Sequence, residues 1–262
     1  MGQLVSEQEA QFYDVAVPDW PGEIDFYRAL AMEAKARGGA ILEVGCGTGR
    51  VALQLAQEGV SFVGLDFSPA MLAVARQKSR GLSNLRWVEG DMQAFELGER
   101  FSLILIPGHS FQFMLTAADQ LACLHCIRRQ LTPDGKLVVH IDNPDPAWLG
   151  RLTQNQGTGF NLVGEYHPGS IRGSVRKWNS WSYEPATQTA TAVTAWEIIG
   201  EDGTLVERQE TAQKHLHCIF RFEMEQLLAR AGFEVEALYG DFFRQKFHGT
   251  SSDMIWVARV RH

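Results

Sequence analysis

Ile41-Leu42-Glu43-Val44-Gly45-Cys46-Gly47-Thr48-Gly49-Arg50 decides the fold. A short apolar run carries an acid and leads into three alternating glycines, and a helical pattern follows over residues 51–58. That order reads as strand, tight loop and helix. Glycine tolerates positive φ and lets the backbone approach a ligand with no Cβ in the way. The helix start behind the loop adds N–H donors that have no partner within the helix. The next apolar run, residues 60–65, leads straight into Asp66. An acid about 20 residues past such glycines can accept both hydroxyls of a ribose.

The glycine spacing narrows the ligand. Dinucleotide sites follow G-x-G-x-x-G, with the third glycine where the helix packs on the strand. Here Arg50 holds that position, and the third glycine comes one residue early, at Gly49. Ser68-Pro69 then offers an N-cap with proline at the first helical position, so a second helix starts there. Leu85-Arg86-Trp87-Val88-Glu89-Gly90-Asp91-Met92 reads as a third strand followed by an acid, and Phe101-Ser102-Leu103-Ile104-Leu105-Ile106-Pro107-Gly108 as a buried fourth strand.

Glu43-x-Gly45-x-Gly47-x-Gly49 resembles motif I of the class I S-adenosylmethionine (SAM) methyltransferases. The segment ending in Asp91-Met92 is similar to the family's adenine-binding segment, and the motifs cover about residues 40–142 in family order. The resemblance implies an α/β fold: a Rossmann-like, seven-stranded, mostly parallel sheet with helices on both faces and an antiparallel last strand. It implies SAM as cofactor, with Asp91 accepting from the adenine amino group and Met92 packing on the ring. It also puts the Tyr13-Asp14 pair over the methionyl end of the donor. The expected donor set is Tyr13, Glu43, Gly45, Cys46, Gly47, Asp66, Phe67, Asp91, Met92 and Pro107.

Bulk properties agree with one elaborated domain. The chain has 262 residues, 45% of them hydrophobic, enough for one sizeable core. A net charge of −7 argues against a dedicated nucleic-acid binder, whose domains are usually basic. Four irregularly placed cysteines do not form a disulfide framework. Cys123-Leu124-His125-Cys126 has no second pair nearby and reads as core cysteines within a helix. With no signal segment and no long apolar run, we expect no membrane association and a cytoplasmic location.

The regions flanking the core are expected to choose the acceptor. Ser6-Glu7-Gln8-Glu9 has the form of a capping box, so a short helix should run to about Tyr13. Val17-Pro18-Asp19-Trp20-Pro21-Gly22 cannot be regular, and a second helix should span residues 23–37. This segment either simply covers the sheet edge or, by the resemblance, closes as a lid, with Tyr13, Trp20 and Tyr27 offering ring faces to the sulfonium cation. His109 follows the fourth strand, and His140 and Asp142 close a fifth strand over residues 136–141, after a Thr132-Pro133-Asp134-Gly135 turn. Ligands of open α/β sheets bind outside such carboxyl ends.

Residues 150–173 read as a glycine-rich loop, and three strand-like runs follow over 174–183, 187–199 and 204–217. This antiparallel insertion resembles the substrate-covering flap of amino-sugar and small-amine methyltransferases. Its exposed sheet is also the candidate homodimer interface. A helix ended by Gly232 and two strands, Phe233–Tyr239 and Asp253–Val260, complete the sheet. The expected division is an N-terminal lid (1–38), a SAM-binding core (39–149), the β flap (150–217) and the completion of the core (218–262).

The sequence therefore points to SAM-dependent methyl transfer to a small-molecule acceptor, at nitrogen before oxygen. The candidate catalytic residues are Tyr13, His109 and His140; Asp142, Tyr166, His167 and His217 are further possible bases. No H-E-x-x-H or comparable spacing is present, so no metal is expected. The competing readings are a SAM-binding sensor or scaffold without turnover, an NAD-dependent oxidoreductase, and an RNA methyltransferase.

Overall fold

The computed structural model describes residues 6–18, 20–154, 158–169 and 171–261. Asp19 and Gly157, both read above as parts of irregular segments, lie outside the described residues. The elements in chain order are α1 (Glu7–Ala16), α2 (Glu23–Ala36), β1 (Ala40–Val44), α3 (Arg50–Ala56), β2 (Phe62–Asp66), α4 (Pro69–Lys78), β3 (Leu85–Glu89) and β4 (Phe101–Ile106). Then come α5 (Ala117–Gln130), β5 (Leu131–Asp142), α6 (Pro146–Gln154), β6 (Asn161–Tyr166), β7 (Ser174–Glu184) and β8 (Thr189–Ile199). The chain ends with β9 (Leu205–Glu210), β10 (Lys214–His217), α7 (Arg221–Arg230), β11 (Phe233–Tyr239) and β12 (Asp253–Val260).

The chain divides into two units: Trp20–Pro144 with Ile219–His262, and Met1–Asp19 with Asp145–Cys218. The first holds a seven-stranded sheet in the order β11-β12-β5-β4-β1-β2-β3. Strand β12 runs antiparallel to both of its neighbours, whereas β1 to β5 pair in parallel. The apolar runs are continuous because both faces are covered. Leu42, Val44, Ile104, Ile106 and Val139 point to one core with residues of α5 and α7. Their neighbours Ile41, Leu103, Leu105 and Val138 point to a second core with Phe26, Tyr27 and Leu30 of α2 and Leu55 of α3. The two-residue period of a strand thus divides one run between two cores. Ser68 caps α4 as its sequence implied, its Oγ accepting from Met71 N at 3.3 Å.

Two local expectations change. Thr132–Gly135 is not a turn preceding the fifth strand but an irregularity within it: the ladder with β4 steps from Phe101↔Leu131 to Leu103↔Lys136. Tyr27 is no exposed ring; it is fully buried between Phe26 and Phe242.

The second unit is a five-stranded antiparallel sheet, order β10-β8-β7-β6, with β9 also on β8. Three strands were expected. The run over 204–217 is broken at Thr211-Ala212-Gln213, so β9 pairs with Ala195–Ile199 and β10 with residues 189–192 along the same edge of β8. Strand β6 was hidden by its glycine: Gly164 falls at a register shift against β7, where a strand tolerates one. Helix α1 packs on this sheet through Phe12, whose ring lies 5.5 Å from that of Trp196. Its last carbonyl, Ala16 O, accepts from Lys177 Nζ at 3.2 Å, and Glu9 pairs with Lys214. The helix runs to Ala16 rather than Tyr13 and stops where Pro18 forces Val17 into an extended conformation.

Candidate active site

All the features described first lie in the seven-stranded unit. Gly45, Gly47 and Gly49 have φ of 73°, 54° and 77°, the left-handed region that glycine adopts without strain. The three are glycine for different reasons. A Cβ on Gly45 would fall 2.7 Å from Ser110 Cβ, and one on Gly49 2.4 Å from the Trp87 indole. A Cβ on Gly47 would meet nothing within 4 Å, so this backbone is the one open to a ligand. Asp66 braces the loop: Oδ2 accepts from Gly47 N at 2.7 Å and Oδ1 from Ser68 N at 2.8 Å. Burial raises its pKa against these hydrogen bonds. Each oxygen retains a second lone pair for a ribose hydroxyl.

Glu43 is buried beneath the loop. Burial, reinforced by the neighbouring Glu23 and Asp66 and opposed by Arg50, pushes its carboxyl up to about 8. Its Oε2 is buried with no hydrogen-bond partner. That oxygen is left without a donor from the chain itself. Arg50 is held elsewhere, donating to both oxygens of Glu23 at 2.5 and 2.9 Å and lying 5.3 Å from the Trp20 ring. Asp91 Oδ1 accepts from Gln93 N at 2.8 Å, and Met92 Cε comes within 3.6 Å of the Cβ position of Gly45.

A second group sits at the carboxyl ends of β4 and β5 and the start of β12. The register Asp253↔Asp142 and Ile255↔His140 puts these side chains on one face of the sheet. His140 is fully buried, and its Nε2 lies 2.8 Å from Asp253 Oδ1. His109 reaches the same place from the loop after β4, with φ 66°. Its Nε2 is 3.1 Å from His140 Nε2 and 3.4 Å from Asp253 Oδ1, and its Nδ1 is 3.3 Å from Asp142 Oδ1. Trp20 stands edge-on to both imidazoles at 5.2 Å. Burial lowers the His140 pKa to about 4, so the ring is neutral near pH 7. Burial would raise Asp253, but hydrogen bonds from His109, His140 and Ser252 outweigh it and hold the carboxyl well below the usual range.

Residues 41–135 match the methyltransferase-domain family. The chain is a SAM-dependent methyltransferase. It is 27% identical over 240 residues to the dTDP-3-amino-3,6-dideoxy-alpha-D-glucopyranose N,N-dimethyltransferase of Streptomyces fradiae, with 90% of this chain and 87% of that protein aligned. It superposes on the CcbJ methyltransferase of Streptomyces caelestis with a TM-score of 0.78 at 26% identity, covering 98% of this chain and 97% of that one. A demethylmenaquinone methyltransferase of Thermus thermophilus is 36% identical over 124 residues, 45% of this chain and 54% of that protein.

In this methyltransferase Glu43, Gly45, Cys46, Gly47, Asp66, Phe67, Asp91, Met92 and Pro107 all lie at or just past the carboxyl ends of β1 to β4. Tyr13 belongs to the other unit, on α1. Cys46 is buried, and burial pushes its thiol well above the usual range, so it is a wall and not a nucleophile. Cys123 and Cys126 are buried in the core, as expected. Sequence reasoning missed Asp253. It reads as the first residue of a strand, and only the pairing of β12 with β5 brings it to the histidines.

Proposed function

We propose that this methyltransferase methylates a nitrogen of a small molecule, with an amino sugar as the acceptor class. The observation that carries this is the reach of the similarity to the Streptomyces fradiae N,N-dimethyltransferase. It extends over 90% of the chain, far beyond the matched core of 41–135 and into the β6–β10 insertion. The CcbJ likeness extends as far. The acidity of the chain argues against a nucleic-acid acceptor. No helix among the described residues is long and apolar enough to cross a membrane.

Asp66 would hold the ribose, Asp91 and Met92 the adenine, and Glu43 would face the cationic methionyl end. Cys46, Phe67 and Pro107 complete the lining. Bound SAM supplies a methyl group on a sulfonium whose leaving group is already activated. What remains for the chain is to align the acceptor and exclude water. An amine needs only to arrive neutral, whereas a hydroxyl profits from a base. We assign the lid (1–38) and the flap (150–217) to acceptor choice, with Tyr13 and His109 on the acceptor side. His140 has no exposed surface and acts as a positioning residue through Asp253 and His109. The wholly exposed β9 is the proposed homodimer contact.

Incubation with SAM and a dTDP-linked 3-amino sugar should give an N-methylated product by mass spectrometry. Methylation on oxygen, or no product from protein that still binds S-adenosylhomocysteine, would overturn the acceptor class. Tyr13→Phe and His109→Ala should each lower turnover with little change in melting temperature. Rates matching the parent would remove both from the acceptor side.

A further inference from the structure

Three ligand-type atoms converge at the ends of β4, β5 and β12: His109 Nε2, His140 Nε2 and Asp253 Oδ1. Their separations are 3.1, 3.4 and 2.8 Å. Hydrogen bonding alone fills this triangle poorly. Each Nε2 carries at most one proton, so at most two protons serve three mutual contacts and one side of the triangle stays unbridged. Asp253 Oδ1 adds a lone pair, and its Oδ2 is already taken by the Ser252 hydroxyl. His140 has a single proton for two nitrogens, and its Nδ1 is buried without a partner.

We propose that His109, His140 and Asp253 bind one divalent first-row transition-metal ion. Bonds of about 2.0–2.2 Å from imidazole nitrogen and carboxylate oxygen put neighbouring ligand atoms roughly 3 Å apart. The observed triangle has that size before any ion enters it. Two imidazoles with one carboxylate suit zinc, iron, cobalt or nickel, and not the oxygen-seeking magnesium or calcium. Asp142 supplies the outer carboxylate that orients a ligating histidine and fixes its tautomer. The backbone of His109 is left-handed, a conformation costly for a non-glycine residue and concentrated at functional sites. Trp20 at 5.2 Å and the Phe242 ring at 4.9 Å from His140 give the site an apolar shell. Three protein ligands leave positions open for water or for a hydroxyl or amine of a second molecule. The ion site is independent of the acceptor class proposed above.

The test is a titration of untagged, chelator-treated protein with Co2+ alone, read by visible absorption. Saturation at one ion per chain with imidazole-type bands, and displacement by Zn2+, is the expected result. His109→Ala and Asp253→Asn should each weaken Co2+ binding at least tenfold. Asp142→Asn should weaken it by about 10–100-fold through the outer contact. His125→Ala, on the exposed face of α5, should change nothing. Circular dichroism and S-adenosylhomocysteine binding report that each variant is folded, so failure of the ion site is separable from failure of the donor site. No saturable spectrum in the parent, or equal affinity in parent and His109→Ala, would overturn the proposal and leave a hydrogen-bonded imidazole pair.

Discussion

The glycine loop after β1 and the cluster at the ends of β4, β5 and β12 stand on one sheet but are built by opposite means. The loop is a backbone site. Its N–H groups, its left-handed glycines and one bracing carboxylate come from residues 43 to 68, and packing on Trp87 fixes its shape. The cluster is a side-chain site. Its histidines stand 31 residues apart, and Asp253 lies 144 residues beyond His109, so strand register and the loop after β4 assemble it. A backbone site tolerates almost no change of residue at its glycines. A side-chain site can be rebuilt for another partner by changing any one of its members.

The largest break in this comparison comes from the flap. Replacing residues 174–217 with a short Gly/Ser linker should lower turnover of the acceptor at least about a hundredfold, as expected when alignment is lost. Affinity for S-adenosylhomocysteine should be largely retained, since Glu43 to Pro107 lie outside the flap and Tyr13 alone of the expected donor set rests on it. Helix α1 loses its seat on Trp196 in such a protein, so Tyr13 is displaced with it. Retained turnover would reduce the flap to an interface element.

The glycines separate shape from contact. Gly49→Ala adds a left-handed non-glycine residue, about 1–2 kcal/mol, and overpacks Trp87, about 1–3 kcal/mol. Urea denaturation should show a loss of about 2–5 kcal/mol. Gly47→Ala carries only the backbone cost, because its Cβ meets open space. It should lose about 1–2 kcal/mol of stability while weakening the donor more than Gly49→Ala does per unit of stability lost. Equal effects of the two substitutions would show that Gly47 is not the open face.

Much of the core was legible for the same reason the loop is local. The run from Glu43 to Asp66, the Ser68 cap and the third and fourth strands each carry their signal within a few residues. The flap was less legible. Gly164 disguised β6, and the Thr211-Ala212-Gln213 break divided one apparent strand between two segments of the same edge. Asp253 was illegible, because an acid at the head of a strand means nothing until its partner strand is known. The spacing that gave no metal motif was read along the chain, and the cluster forms across it.

A pH-dependent effect concerns Glu43. Its carboxyl holds a proton in the folded chain up to about pH 8, whereas the unfolded chain releases it near pH 4.5. Between these values the folded state binds more protons, so the stability of the ligand-free protein should fall as pH rises, by at most about 1.4 kcal/mol per pH unit. Above pH 8 this contribution is gone. Glu43→Gln should flatten the slope over that window in urea titrations at several pH values. An unchanged slope would mean that Glu43 is already ionised and paired.

Calorimetric titration of S-adenosylhomocysteine into the parent and into Asp66→Ala tests the backbone site most directly. Asp66 braces Gly47 and, in the function proposed above, would also hold the ribose. A hydrogen bond to a charged group contributes about 1.5–3 kcal/mol. The account predicts saturable binding to the parent at one site per chain and at least a tenfold weaker constant for Asp66→Ala. Equal affinity in the two proteins, or tighter binding of NAD than of S-adenosylhomocysteine by the parent, would contradict it.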